Sequence, residues 1–198
     1  MQTGTTNMWM NVGRAQFHMP SGNPQVVRGH TGLVIEGREA LLARLADVGP
    51  ALEGTRFSVQ EHNDYVKATC PWGNEIRCYE PGEQFGQTRL GIPYVSFNVP
   101  IGSAPAIARF YKEIVGTQAT TGKDGDAAIA RVLAGDGQHL VFHETDEPQP
   151  EFDGHHVAIY LADFSGPYNK LLERHLISRE TNQHEYRFID IIDLDTGT

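Results

Sequence analysis

The sequence has little cysteine. Cys70 and Cys78 are the only two in 198 residues, too few for a disulfide-stapled secreted scaffold. Their spacing is not the Cys-x-x-Cys of metal or redox sites. Positive charge is scarce as well. Lys and Arg total 16 against 25 Asp and Glu, a formal charge of −9, which excludes a dominant basic face for nucleic acid or an anionic membrane. No apolar run reaches membrane-spanning length. The start, Met1 to Asn7, lacks the charged and apolar regions of a secretory signal, so a cytoplasmic protein is expected. There is no Gly-x-Ser-x-Gly elbow, His-Glu-x-x-His pair or P-loop. Gly135-Asp136-Gly137-Gln138-His139-Leu140 fails the dinucleotide pattern at its last position, so no nucleotide cofactor is expected. What is present is 39% apolar residues, enough for a core, with 21 glycines and 11 prolines that predict short elements and frequent turns.

Those turns recur. Gly13, Gly73, Gly137 and Gly197 stand at intervals of 60, 64 and 60. Strand-like runs precede the last three: Asp64 to Cys70, Ala127 to Leu133 and Tyr186 to Ile192. Each glycine suits a hairpin needing positive φ. A second ladder interleaves with the first. His30, Tyr94 and His156, spaced by 64 and 62, each stand in a run read as a strand leading into a helix. The helices are predicted over Arg38 to Leu45, Ala104 to Val115 (stopped by Gly116) and Tyr168 to Leu176.

The repeating unit therefore reads strand, helix, three strands, or βαβββ. A fragment covers residues 5–20, complete units cover about 30–80 and 92–145, and an incomplete unit covers 155–198. The linkers are 81–91 and 145–154. Two modules are expected, 1–85 and 92–198. The last unit reaches its turn at Gly197 and is expected to lack its closing strand, which a second copy or a longer chain would supply.

The residues of both ladders resemble a known superfamily. Phe110-Tyr111-Lys112-Glu113-Ile114-Val115-Gly116 resembles the helix signature of the vicinal oxygen chelate superfamily, which includes glyoxalases, extradiol dioxygenases and bleomycin-resistance proteins. Pro71-Trp72-Gly73-Asn74-Glu75-Ile76-Arg77 is similar to its turn and last strand. Gly154-His155-His156-Val157-Ala158 resembles its opening strand. The resemblance implies an α+β fold in which βαβββ units pair into curled, half-open mixed sheets. It also implies a divalent metal (Fe, Mn, Zn or Ni) held by His and Glu, with open positions for two neighbouring substrate oxygens.

By that resemblance the opening-strand ligand falls on His30, Tyr94 and His156. The closing-strand Glu, four residues after the turn glycine, falls on Phe17, Arg77 and Val141. None of these is a carboxylate, and Arg77 repels a cation. Strand parity sets His139 and His143 on the face of Val141, with Leu140 and Phe142 opposite; a one-residue slip would bring His18 onto the ligand face. The candidate metal ligands are thus His156, His143 and His30, with Tyr94 and Arg77 as further residues facing the cup. Other roles stay open. A strand histidine is often simply hydrogen-bonded, and Arg77 is either an anion anchor or a partner of Glu75 or Glu80. Asp190, Asp193 and Asp195 read as turn and surface residues. Trp9, Trp72 and Phe97 read as core, and the cysteines as small buried hydrophobes.

Two functions follow from the resemblance. One is a metal-dependent dioxygenase or lyase acting on a small oxygenated molecule. The other is a metal-free protein that binds a small molecule in the same cup, in the manner of sequestering resistance proteins. The expected partners are a small molecule and, because both outer units read as incomplete, a second copy in a homodimer.

Overall fold

The computed structural model describes residues 2–3 and 7–197. They fall into two compact units. The first comprises the chain to Phe97 with Gly137–His139 and Pro148–Val157, and the second Asn98–Asp136, Leu140–Glu147 and the chain from Ala158.

The first unit opens with a three-stranded antiparallel sheet of β1 (Gln2–Thr3), β2 (Asn7–Val12) and β3 (Ala15–Pro20). Gly13 turns β2 into β3 at φ +61°. Then come β4 (Gly29–Val34), α1 (Arg38–Val48), β5 (Ser58–Glu61), β6 (Val66–Thr69) and β7 (Glu75–Tyr79), the βαβββ order expected over 30–80. The next strand, β8 (Gly91–Pro100), belongs to this unit as far as Phe97. The strand order is β5-β6-β7-β4-β8. β4 lies parallel to β7, as a helical crossover requires, and antiparallel to β8.

Two local features explain the motif around Gly73. The turn closes through Gly73 N–H to the Cys70 carbonyl and Cys70 N–H to the Asn74 carbonyl, both 2.9 Å, with Gly73 at φ +111°. Asn74 then ties the turn to the approach to β4. Its Oδ1 accepts the Val27 N–H at 2.9 Å and its Nδ2 donates to the Gln25 carbonyl at 2.8 Å.

In the second unit α2 (Ala104–Phe110) runs into a π turn, Tyr111–Val115, and Gly116 ends it in the left-handed region at φ +79°. The strands β9 (Ala119–Asp124), β10 (Ala127–Gly135) and β11 (Gln138–Thr145, in this unit from Leu140) follow, so in chain order β8, α2 and these three complete a second βαβββ order. Along β11, Leu140, Phe142 and Glu144 are buried while His139, Val141 and His143 are half-exposed, the alternation expected of them. The second unit ends with α3 (Ser165–Glu173) and the hairpin β12 (Ile177–Asn182) with β13 (Glu185–Phe188). Its core includes Phe110, Ile114, Val132 and Leu171, all nearly or fully inaccessible to solvent. Helices with strands in a mixed, open-edged sheet make the fold α+β.

One expected strand is absent, and another, expected to reach Ile192, ends at Phe188 in β13. Residues 155–161 and 189–192 form no ladder. Over the first stretch the hydrogen bonds run elsewhere. Gly154 sits at φ +92°, and Asp153 accepts the His155 N–H at 3.0 Å in a local turn that competes with extension. Tyr160 is 99% exposed, so the apolar alternation there has nothing to pack against.

Candidate functional site

The register of the first unit assembles one polar face. Across β4, His30 is opposite Glu75 of β7 and Ser96 of β8, and Gly32 is opposite Arg77 and Tyr94. Lys67 of β6 is opposite Arg77. Opposed residues share a face and alternate residues repeat it. His30, Gly32, Lys67, Glu75, Arg77, Tyr79 and Tyr94 therefore form one surface. Val66 and Cys78 lie on the other and are buried.

A hydrogen-bonded chain crosses this face. The Tyr79 and Tyr94 hydroxyls meet at 2.8 Å, and the Tyr94 hydroxyl lies 3.3 Å from His30 Nε2. Gly32 makes this possible. A Cβ built there would lie 2.7 Å from Cδ1 and Cζ of Tyr94, so the phenol ring lies across β4 only because the strand carries no side chain at that point. Burial, then the Tyr79 hydrogen bond, push the Tyr94 phenol well above its ordinary pKa. Tyr94 is therefore neutral at physiological pH. A chain in which His30 Nε2–H donates to Tyr94 and Tyr94 donates to Tyr79 is satisfied at both links and agrees with the raised Tyr94 pKa.

Arg77 stands beside that chain. Its Nε donates to Glu75 Oε1 at 2.8 Å, and its guanidinium lies 5.3 Å from the centre of the Tyr65 ring. Burial opposes the charge, but the Glu75 hydrogen bond and charge outweigh it and raise the Arg77 pKa. Glu75 also meets Lys67 Nζ at 3.8 Å. Tyr65 packs 5.3 Å from Tyr79 and stacks on His62 at 4.5 Å, extending an aromatic row.

The other predicted residues lie elsewhere. His156 is in the irregular segment, its Nδ1 donating to the Gly154 carbonyl at 3.0 Å. Its ring lies 6.5 Å from that of His18, which stacks on Trp9 at 4.0 Å. His143, in the second unit, is 4.0 Å from Asp124. Asp193 shapes a turn: hydrogen bonds from the Thr196 and Asp195 N–H groups hold its carboxyl below the usual range. Among the described residues no three His, Cys, Asp or Glu side chains gather in a way that could hold a metal ion. The nearest carboxylate to His30 in the ladder, Glu75, is bracketed by Arg77 and Lys67. Two fixed cations there oppose a third. The donor set of this face does not fit the divalent metal that the resemblance implied.

Sequence reasoning overlooked Tyr79, Tyr65 and Glu144, and read Glu80 only as a partner for Arg77. The parity of 75, 77 and 79 would have found Tyr79. Glu80 and Glu144, seven residues after their turn glycines, serve helices. Glu80 Oε1 accepts the first N–H of α1 (Arg38) at 2.5 Å, and Glu144 Oε1 accepts the first N–H of α2 (Ala104) at 2.7 Å.

No known protein-family profile matches the chain. No curated protein matches it in sequence. Among solved structures it is similar to a Bacillus subtilis subsp. subtilis str. 168 protein designated a dioxygenase, with 20% identity and TM-score 0.47 over 75% of this chain and 52% of that one. It is similar to glyoxalase I from Zea mays (a point mutant), with 12% identity and TM-score 0.43 over 71% and 45%. A third is 2,2',3-trihydroxybiphenyl 1,2-dioxygenase from Sphingomonas wittichii strain RW1, with 16% identity and TM-score 0.40 over 64% and 43%. The chain spans about half, or less, of the length of these proteins. At such identities and scores the functional conclusion rests on the chain's own side chains. Among the described residues no helix is long and apolar enough to cross a membrane.

Proposed function

We propose that the first unit binds a small planar, oxygen-bearing molecule on the face of His30, Tyr79, Tyr94 and Arg77, and that it does so without a metal. The observation that supports this is the Tyr79–Tyr94–His30 hydrogen-bond chain beside Arg77, on a face whose one ladder carboxylate is held by two cations. Phenol and imidazole groups donate or accept as a hydroxyl or carbonyl ligand demands. The Arg77 ion pair uses Nε, and a guanidinium is suited to a carboxylate or phenolate through its remaining N–H groups. The rings of Tyr65 and Tyr79 offer flat apolar area.

The test is calorimetry with 3-hydroxybenzoate and catechol, run with and without excess chelator. Binding of at least one probe should be unchanged by the chelator. It should weaken about tenfold in Arg77→Gln for the carboxylate probe and in Tyr94→Phe for both. Stoichiometric transition metal in the purified protein, released by His30→Ala, would overturn the proposal in favour of a metal-dependent dioxygenase or lyase. Absence of binding by either probe would overturn it as well.

A further inference from the structure

The second unit holds a separate cleft between the start of α3 and the β12–β13 hairpin, of about 310 Å³. That is within the range of small-molecule sites. Three aromatic rings wall it. Phe164 meets Tyr186 edge-on at 4.9 Å, and Tyr168 lies 5.5 Å from the same ring. Glu180 stands opposite Tyr186 across the hairpin and accepts the Tyr168 hydroxyl at 2.7 Å. Glu185 and Asn182 complete the polar side, and no Lys or Arg lines the cleft.

Two features are unexplained by folding alone. The Tyr186 hydroxyl is buried and has no hydrogen-bond partner among the described residues, a state that costs free energy unless something else meets it. Negative charge also lies on this wall. Arg187, at 3.0 Å, and Arg179 hold the Glu185 carboxyl below its ordinary pKa, but Glu180 forms no ion pair among the described residues and makes only the neutral phenol contact. The positive end of α3 does not reverse this sign. Asp163 already answers it, accepting the Gly166 N–H at 3.0 Å. An anion entering here would meet Glu180 and Glu185.

The geometry points to a binding site for a small protonated amine. The ammonium would donate to the Tyr186 hydroxyl oxygen and the Glu180 carboxylate. Its carbon atoms would lie on Phe164 and Tyr168, whose ring faces attract a cation. This site is independent of the face around Tyr94 and stands or falls without it.

The test compares n-butylammonium with 1-butanol, a neutral molecule of similar shape, by NMR titration of the full chain. The amine should saturate and the alcohol should not. Raising NaCl from 50 to 500 mM should weaken the amine severalfold. Glu180→Gln keeps the acceptor for Tyr168 and removes the charge, while Tyr186→Phe removes only the orphan hydroxyl. Each should weaken amine binding about tenfold, and Tyr94→Phe should leave it unchanged. Equal binding of amine and alcohol, or no saturation by the amine, would overturn the assignment. So would wild-type affinity in both cleft variants. The alcohol and salt arms use the unaltered chain, so the test does not depend on the variants folding.

Discussion

Gly32→Ala is a one-methyl change with a consequence that can be worked out from the geometry. The added Cβ would lie 2.7 Å from two ring atoms of Tyr94, and carbon atoms pack at about 3.5–4.0 Å. The ring must therefore retreat by roughly 1 Å, which stretches the 2.8 Å contact with Tyr79 and the 3.3 Å contact with His30 beyond hydrogen-bond range. Overpacking of this kind costs about 1–3 kcal/mol, and each neutral hydrogen bond lost about 1 kcal/mol. Removing a strand glycine returns about 0.5–1 kcal/mol by restricting the unfolded chain. The net expectation is a loss of about 2–4.5 kcal/mol. A double-mutant cycle isolates the cause. In a Tyr94→Ala background the methyl meets no ring, so Gly32→Ala should become neutral or slightly stabilising. Urea unfolding of the four proteins gives the coupling directly. A coupling under about 0.5 kcal/mol would show that Gly32 is not there to seat Tyr94, and the account of the face would fail with it.

Other perturbations test neighbouring steps. Burial raises the Cys78 thiol from its ordinary 9.0 to about 11. The unfolded chain therefore releases that proton first, and stability should fall between pH 9 and 11 by about 2–3 kcal/mol. Urea melts across that window should show the loss in wild type and a smaller one in Cys78→Ala; equal slopes would refute the burial. Glu144→Ala strands the buried first N–H of α2 and should cost about 1–3 kcal/mol, with Glu144→Gln recovering part of it in the same melts. Asn74→Ala removes both ties to residues 25–27. Amide hydrogen exchange at Val27 should rise at least tenfold, and unchanged protection would show that the segment is held by something else.

The repeat was legible because turns and parity are local. Gly13, Gly73 and Gly137 all take positive φ where hairpins turn, and the burial of Leu140 and Phe142 against His139 and His143 follows from alternation alone. The strand expected at 154–161 was not legible, because a strand exists only with a partner, and one Asp153 carboxylate settles the local choice against extension. The site was half legible. His30, Tyr94 and Arg77 were each singled out by their ladder positions, but the spacing shows neither that they share one face nor that Gly32 leaves room for a ring. The most instructive difference concerns carboxylates. The resemblance places one four residues after each turn glycine, where this chain has Phe17, Arg77 and Val141. The chain instead carries Glu80 and Glu144 seven residues after, and an odd offset of three puts them on the opposite side of the strand. There they meet helix N-termini, where an anion is favoured and backbone N–H groups lack intrahelical partners. The repeat thus keeps its acid but points it at the helices, and in the first unit the exposed face is left to phenols, an imidazole and a guanidinium. Those groups recognise oxygen atoms by hydrogen bonding, which is the ground for proposing that an oxygen-bearing ligand binds there without a metal.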